Sequence, residues 1–136
     1  MSAGAGRWLG RALFAGSIVL SAAGQLGMKA GMQELHLLAT QGVALTAATW
    51  SELAPAIEWT AAGLTAYGLS LMCWRAVLVR YPLSYAYPLL GLAYVLVYIG
   101  ATQWPRLAEP ASALRTGGTL LILAGVALVT VADRRR

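Results

Sequence analysis

A stripe of polar side chains runs along the first long apolar segment of this chain. Ser17, Ser21, Gln25 and Lys29 follow one another at intervals of four residues, within the sequence SIVLSAAGQLGMK. Side chains four residues apart lie above one another on a helix, so these hydroxyl, amide and ammonium groups share one face. A helix that only anchors a protein in the membrane does not need such a face. The spacing therefore predicts that a polar molecule contacts this face.

Two later apolar segments carry similar faces. Gln25, Tyr87 and Tyr94 place polar groups well inside a hydrocarbon layer, where an unmatched hydrogen-bonding group costs several kcal/mol. The alternative is that Ser and Gly only allow close helix packing and that Tyr anchors at the membrane interface. We expect the three faces to line one shared cleft. The two later faces consist of Gly63, Tyr67, Ser70 and Trp74 in the second segment, and of Tyr87, Gly91, Tyr94 and Tyr98 in the third.

Charged residues near the ends of the apolar segments have two interpretations each. Lys29 either extends to the membrane surface or contacts a phosphate. The same holds for Arg75, because a guanidinium binds phosphate bidentately. Glu109, like Glu58, either binds a cationic group or complements and solvates a helix end. The residues by themselves leave these alternatives open.

The sequence offers no motif for catalysis, metal binding or nucleic-acid binding. It contains no P-loop, no HExxH and no Cys/His cluster, and its single cysteine, Cys73, lacks the partners of a metal site. The basic residues stand at the ends of apolar runs and do not form a patch interleaved with aromatic residues. We therefore expect no enzyme, no cofactor, no metal and no nucleic-acid partner.

Long uncharged runs dominate the chain, which is 59% hydrophobic and 11% charged over 136 residues. They predict a single all-α membrane domain, residues 1–136, with four spans at about 8–28, 59–79, 83–103 and 113–132. The first run continues to Met28, which is too long for the core of a cleaved signal peptide. Pro82 predicts a tight turn after the second span, and Pro105 and Pro110 interrupt the connection to the fourth.

Residues 30–58 are expected to connect the first two spans on the outer side. Glu34, Glu52 and Glu58 interrupt this region, and the uncharged stretch from Leu37 to Trp50 is too short to form a comfortable fifth span. We predict a helical extension of the first span followed by an interfacial segment.

The distribution of Lys and Arg predicts the direction of insertion. Because positive charge concentrates in cytoplasmic loops, a bias of seven against three places both termini in the cytoplasm. The predicted cytoplasmic set is Arg7, Arg11, Arg75, Arg80, Arg134, Arg135 and Arg136, and the opposite set is Lys29, Arg106 and Arg115.

The fourth span lacks a polar face and carries small residues instead. Gly118 and Gly125 stand seven residues apart, and Ala124 is adjacent. This pattern is typical of close helix packing in membranes and predicts a seam for a partner subunit.

Three motifs resemble the small multidrug resistance (SMR) superfamily: GQLGMKAG in the first span, YPLSYAYPLLGLAYVLV after the second turn, and AEP before the fourth span. Within it, the chain is most similar to the SMR-like subunits of the flippase for aminoarabinose linked to undecaprenyl phosphate. The resemblance extends from Leu13 to Val131, and residues 86–90 are its most specific part. It implies an SMR/EamA-like four-helix bundle that works as a dimer, with itself or with a homologous subunit, in the bacterial inner membrane.

One departure separates the chain from drug exporters of the superfamily. Those exporters carry a membrane-embedded glutamate at the position that matches Ser21 here, and a Gly-x-Gly in the third helix where this chain has Leu92, Ala93 and Tyr94. Because that glutamate is missing here, proton-coupled export of small cationic compounds is kept only as the alternative function, and a helper subunit that does not itself transport is the other competing class. The resemblance favours movement of a polyprenyl-phosphate sugar to the periplasmic leaflet, for modification of lipid A or an envelope glycan.

The residues and the resemblance together predict one binding site for a lipid head group. Ser21, Gln25, Tyr87 and Tyr94 are expected to line the cleft, and Lys29 and Arg75 to contact the phosphate. The remaining candidates are Tyr67, Trp74, Tyr98 and Glu109.

Overall fold

Four helices make up the fold. The structure is a computed structural model that describes residues 3–42, 49–107 and 109–133, with side chains described from Trp8 to Ala132 within those ranges. The helices are α1 (Ala3–Thr40), α2 (Trp50–Leu78), α3 (Leu83–Gln103) and α4 (Ala113–Asp133), and the described residues contain no strand. Each helix includes a segment that is long and apolar enough to cross a membrane. The prediction of an all-α bundle with four spans is confirmed.

The first two helices extend beyond the predicted spans. After Met28, α1 continues to Thr40, so residues 30–40 are helical, as in the predicted extension, and α2 begins at Trp50, so residues 50–58 belong to α2. The start of α2 has a local cause, since Glu52 accepts hydrogen bonds from the backbone N–H (2.6 Å) and the hydroxyl (2.8 Å) of Thr49. Charged residues outside the hydrocarbon layer are solvated and do not end a helix. Residues 43–48, predicted as part of an interfacial segment, lie outside the described residues.

Glycines bring the backbones of α1 and α2 into direct contact. A Cβ atom on Gly63 of α2 would lie 2.5 Å from the backbone nitrogen of Met28, and one on Gly24 of α1 would lie 2.8 Å from the carbonyl oxygen of Gly63. Neither position has room for a larger residue, which explains the small side chains on both faces. This seam is the most extensive helix contact of the bundle.

Helix α3 packs on α1, and α4 packs on α3. Gly100 of α3 makes room for the side chain of Leu26, and Gly91 of α3 makes room for Ile122 of α4. Helix α4 makes no packing contact with α1 or α2 among the described residues, and α2 touches α3 only slightly. The bundle therefore consists of two hairpins, α1–α2 and α3–α4, which join along α1 and α3.

The two ends of the bundle differ. We call the end near Lys29 the Lys29 end and the opposite one the Arg11 end. At the Lys29 end an apolar cluster closes the junction of α1 and α3, with the Trp59 and Trp104 rings 5.3 Å apart. The cluster consists of Leu26, Ala30, Trp59, Ala101, Trp104 and Leu107. The Arg11 end contains the turn between α2 and α3, where Pro82 precedes the first residue of α3.

Candidate functional site

The polar stripe of α1 lies mostly inside the bundle. Ser17 and Ser21 are only 2% and 8% exposed, and the Ser17 hydroxyl donates to the carbonyl oxygen of Phe14 (2.8 Å). Gln25 is half-buried, and its Nε2 donates to the Ser21 hydroxyl oxygen at 3.4 Å. The amide oxygen of Gln25 has no hydrogen bond to the described residues, so it can accept a bond from a ligand.

The tyrosines of α3 point in several directions. Tyr87 and Tyr94 are 57% and 61% exposed, and the Tyr87 ring meets Trp74 of α2 edge-on at 6.0 Å. The Tyr98 hydroxyl is 2.6 Å from that of Thr116 in α4. A single chain thus does not enclose Tyr87 and Tyr94 together with Ser21 and Gln25. The four-residue spacing shows which residues share a helix face, but helix rotation decides where that face points.

The face of α2 serves mainly to pack against α1. Tyr67 is half-buried beside Gly24, and the buried Ser70 donates its hydroxyl to the carbonyl oxygen of Tyr67 (2.6 Å). Trp74 is half-buried and contacts the Phe14 ring at 6.2 Å, whereas Arg75 is exposed. In this chain, Gly63 and Ser70 therefore lie in a helix-packing contact, as the alternative interpretation of small residues in membrane helices expects.

Two of the predicted site residues form an ion pair at the Lys29 end. The Lys29 ammonium pairs with the carboxylate of Glu109, and Arg115 of α4 donates to the same carboxylate at 2.7 Å. The hydrogen bond from Lys29 lowers the pKa of Glu109 below its usual 4.5, and the charges of Lys29 and Arg115 act in the same direction. Glu109 is thus a carboxylate at neutral pH and links α1 to α4.

A second ion pair reinforces the same end. Arg106 donates from Nε and Nη2 to one carboxylate oxygen of Glu34, at 3.0 and 2.7 Å. Its guanidinium carbon also lies 5.1 Å from the centre of the Trp59 ring, within the range of a cation–π contact. The Lys29 end is therefore joined by charge pairs as well as by apolar packing.

An open cavity of about 400 Å³ adjoins the Lys29–Glu109 pair. Both charged groups contribute to its wall, together with polar side chains from the last third of α1. It combines one carboxylate with one ammonium and can therefore accept either charge of a zwitterionic group once the pair separates. The lining residues are Lys29, Met32, Gln33, His36, Leu107, Glu109 and Pro110.

A second cavity, of about 480 Å³, lies at the Arg11 end between α1, the α2–α3 turn and α3. The sequence analysis missed it, because Arg11 was assigned to orientation and neither Tyr81 nor Tyr85 lies on a predicted polar face. The sequence did contain a signal for this cavity. Arg11 lies near the start of the first span, at the same membrane side as the aromatic-rich segment RYPLSYAY, residues 80–87. The lining residues are Arg11, Phe14, Ala15, Ile18, Tyr81, Tyr85, Leu89 and Leu92.

Curated proteins resemble this chain over most of its length, although no family model and no solved structure matches it. It is 44% identical over 119 residues to the probable 4-amino-4-deoxy-L-arabinose-phosphoundecaprenol flippase subunit ArnF of Shewanella sediminis, covering 83% of this chain and 81% of that protein. The protein of the same description from Serratia proteamaculans is 39% identical over 120 residues, covering 88% and 91%. That from Pseudomonas aeruginosa is 38% identical over 123 residues, covering 88% and 82%.

Proposed function

This chain belongs to the ArnF family of flippase subunits, and from that premise we propose that it moves 4-amino-4-deoxy-L-arabinose-phosphoundecaprenol, or a lipid of the same chemistry, from the cytoplasmic to the periplasmic leaflet. The relatives confirm the subfamily that the sequence motifs predicted. They also favour the flippase over the drug exporter, and Ser21 occupies the position of the exporters' glutamate. The chain is a multi-pass membrane protein.

One observation carries the proposal beyond family membership. The two hairpins meet mainly along α1 and α3, with only a slight contact of α2 with α3, so their lateral junction lies between the helix of the polar stripe and the helix of the exposed tyrosines. A lipid tail can remain in the bilayer beside such a junction while the phosphate and sugar move along it. Burying a phosphate in hydrocarbon without partners is very costly, and the junction supplies hydrogen-bonding groups at that depth.

Ser21, Gln25, Tyr87 and Tyr94 are the proposed contacts of the sugar in the middle of the membrane. The amide oxygen of Gln25, which lacks a hydrogen bond to any described residue, and the exposure of Tyr87 and Tyr94 support this assignment. Tyr67, Trp74 and Tyr98 are proposed to support these residues through the contacts described above. A second subunit placed against the exposed tyrosines would complete the cleft that one chain leaves open.

Charged groups are proposed to act at the two membrane surfaces. At the Lys29 end, Glu109 exchanges Lys29 for the ammonium of the amino sugar, and the released Lys29 contacts the phosphate. The adjoining cavity and the zwitterionic head group support this exchange. Arg75, which is exposed near the end of α2, is proposed to attract the phosphate on the cytoplasmic side.

We place the chain in the bacterial inner membrane with both termini in the cytoplasm. The bias of Lys and Arg supports this direction, in which the Arg11 end is cytoplasmic. Arg134, Arg135 and Arg136 contribute to the bias and lie outside the described residues, as does the side chain of Arg7. The word "subunit" in the relatives' names supports a partner, either a second copy or a homologous SMR-like chain.

The test is transport in phosphatidylcholine vesicles that contain the amino-sugar lipid. An amine-reactive reagent that does not cross membranes measures the lipid that reaches the opposite leaflet, with the chain supplied alone or with a homologous subunit. Gln25→Leu and Tyr94→Phe each remove hydrogen-bonding capacity, so we expect about three- to tenfold slower flipping in each. Val19→Leu, on an exposed part of α1, is the matched control and is expected to behave as wild type.

Two different results would count against the proposal. If both variants flip lipid at the wild-type rate and are present in equal amounts, the head-group assignment is wrong. If the wild-type chain moves no lipid in either setting, the proposed function itself is wrong.

A further inference from the structure

We propose that the cavity at the Arg11 end is the loading site for the lipid phosphate, with Arg11 binding the phosphate and Tyr81 and Tyr85 donating hydrogen bonds to it. The inference rests on the proposed function for its occupant, a polyprenyl phosphate lipid. At about 480 Å³ the cavity lies within the roughly 300–1,000 Å³ range of small-molecule sites.

The lining changes from polar to apolar with depth along α1. Arg11 stands near the helix end, and Ile18 stands seven residues further, about 10 Å along the axis at ~1.5 Å per residue. Leu89 and Leu92 of α3 continue the apolar wall beyond Tyr81 in the turn and Tyr85 at the start of α3. A phosphate at the polar end therefore leaves the first isoprene units against aliphatic side chains, which is the arrangement of a lipid at a membrane surface.

No described carboxylate pairs with the arginine at this cavity. None of the three ion pairs among the described residues includes Arg11, and its side chain is exposed. By contrast, Lys29 is already paired with Glu109. A guanidinium without a carboxylate partner can offer two parallel N–H donors to a phosphate.

The two phenol groups are held in place by ring packing. The rings of Tyr81 and Tyr85 stack at 6.0 Å, and each also contacts Phe14, at 6.0 and 6.4 Å. Gly10 leaves space for the Tyr81 hydroxyl, since a Cβ atom there would lie 3.0 Å from it. Positioned donors lose little freedom on binding, which favours affinity.

Binding to the purified full chain in detergent tests the assignment, with undecaprenyl phosphate as probe and neutral undecaprenol as comparison. Arg11→Gln is expected to weaken binding of undecaprenyl phosphate about tenfold or more and to leave undecaprenol binding unchanged. Arg80→Gln makes the same charge change at the same end of the bundle, but Arg80 does not line the cavity and its guanidinium bonds to the carbonyl oxygen of Ala76. This control is expected to bind within about twofold of wild type.

A second variant tests the apolar half of the cavity. Ala15→Phe fills the space beside Ile18 and is expected to weaken binding of both probes, because it removes room for the isoprene units. Inorganic phosphate in excess is expected not to displace undecaprenyl phosphate.

Three results would overturn the inference: equal loss in Arg11→Gln and Arg80→Gln, no loss in Arg11→Gln, or full displacement by inorganic phosphate. The assay requires no transport. A chain that binds the lipid through Arg11 but moves none would therefore refute the proposed function and leave the binding site for the lipid phosphate standing.

Discussion

At the scale of single residues, the pairing of Glu109 has consequences for pH dependence. Its carboxylate receives Lys29 from α1 and Arg115 from α4, so one side chain links three parts of the fold. Because this hydrogen bonding lowers the pKa of Glu109 below 4.5, the pair is present in the folded protein throughout the neutral range.

Acidification is expected to remove this link. A carboxyl group whose pKa is lowered by folding stabilises the fold above its unfolded pKa of about 4.5, and that contribution is lost as the pH falls through the lowered value. We expect Glu109→Gln to melt at a lower temperature than wild type at neutral pH, and the difference to shrink as the pH falls to about 3. Thermal melting in detergent measures both.

Glu58→Gln is the matched control for this prediction. Glu58 is exposed and belongs to none of the described ion pairs, so its variant should follow the wild-type curve. A difference between Glu109→Gln and wild type that stays constant with pH would contradict the assignment of the lowered pKa to this pair.

At the scale of helices, the glycine seam between α1 and α2 sets the architecture. It holds these two helices at backbone contact, whereas α3 approaches through the larger side chains of the apolar cluster. The first hairpin is therefore packed more closely than the junction between α1 and α3. At the Lys29 end, the ion pairs and the apolar cluster hold that junction together.

Adding one methyl group to the seam is expected to destabilise the hairpin. Gly63→Ala places a Cβ atom 2.5 Å from the backbone nitrogen of Met28, so α2 must move away from α1. Overpacking of this kind costs about 1–3 kcal/mol. Gly68→Ala is the control on the same helix, because nothing lies within 4 Å of its added Cβ atom. Unfolding in mixed detergents compares the two, and equal stability would show that the seam tolerates a wider spacing.

At the scale of the whole molecule, α4 leaves most of its surface without a neighbour in one chain. Within the part of the chain that the structure describes, it packs on α3 alone, and Cβ atoms added to Gly118 and Gly125 would meet nothing within 4 Å. Leu120, Leu121 and Leu128 are exposed on the same helix. Exposed leucines can contact either lipid chains or another protein subunit. The predicted seam for a partner subunit therefore stays a prediction.

Association through the α4 seam can be tested by blocking it. A leucine at Gly125 would prevent close approach of a second helix, so we expect Gly125→Leu to reduce co-purification of differently tagged subunits about tenfold. Gly117→Leu is the control, because Gly117 also faces open space but lies about 100° around the helix from Gly118. If both variants associate like wild type, the partner binds elsewhere.

Much of the fold and the family could be predicted from the sequence because the deciding properties are local. The length of uncharged runs determines how many helices can cross a membrane, and Pro82 marks the turn between α2 and α3. The motif around residues 86–90 identified the subfamily that the relatives confirm. The four-residue spacing also placed Ser21 and Gln25 close enough for a hydrogen bond.

The amino-acid sequence by itself determined the number of helices, their class and the residues that share each face. Only the tertiary structure decided that Tyr87 and Tyr94 point outward, that Lys29 is paired with Glu109, and that Arg11 stands beside an aromatic cavity. The reason is physical: periodicity along a helix is set by local backbone geometry, but rotation between helices is set by packing of residues far apart in the chain. In this chain the contact of Gly24 and Gly63 sets that rotation for the first hairpin.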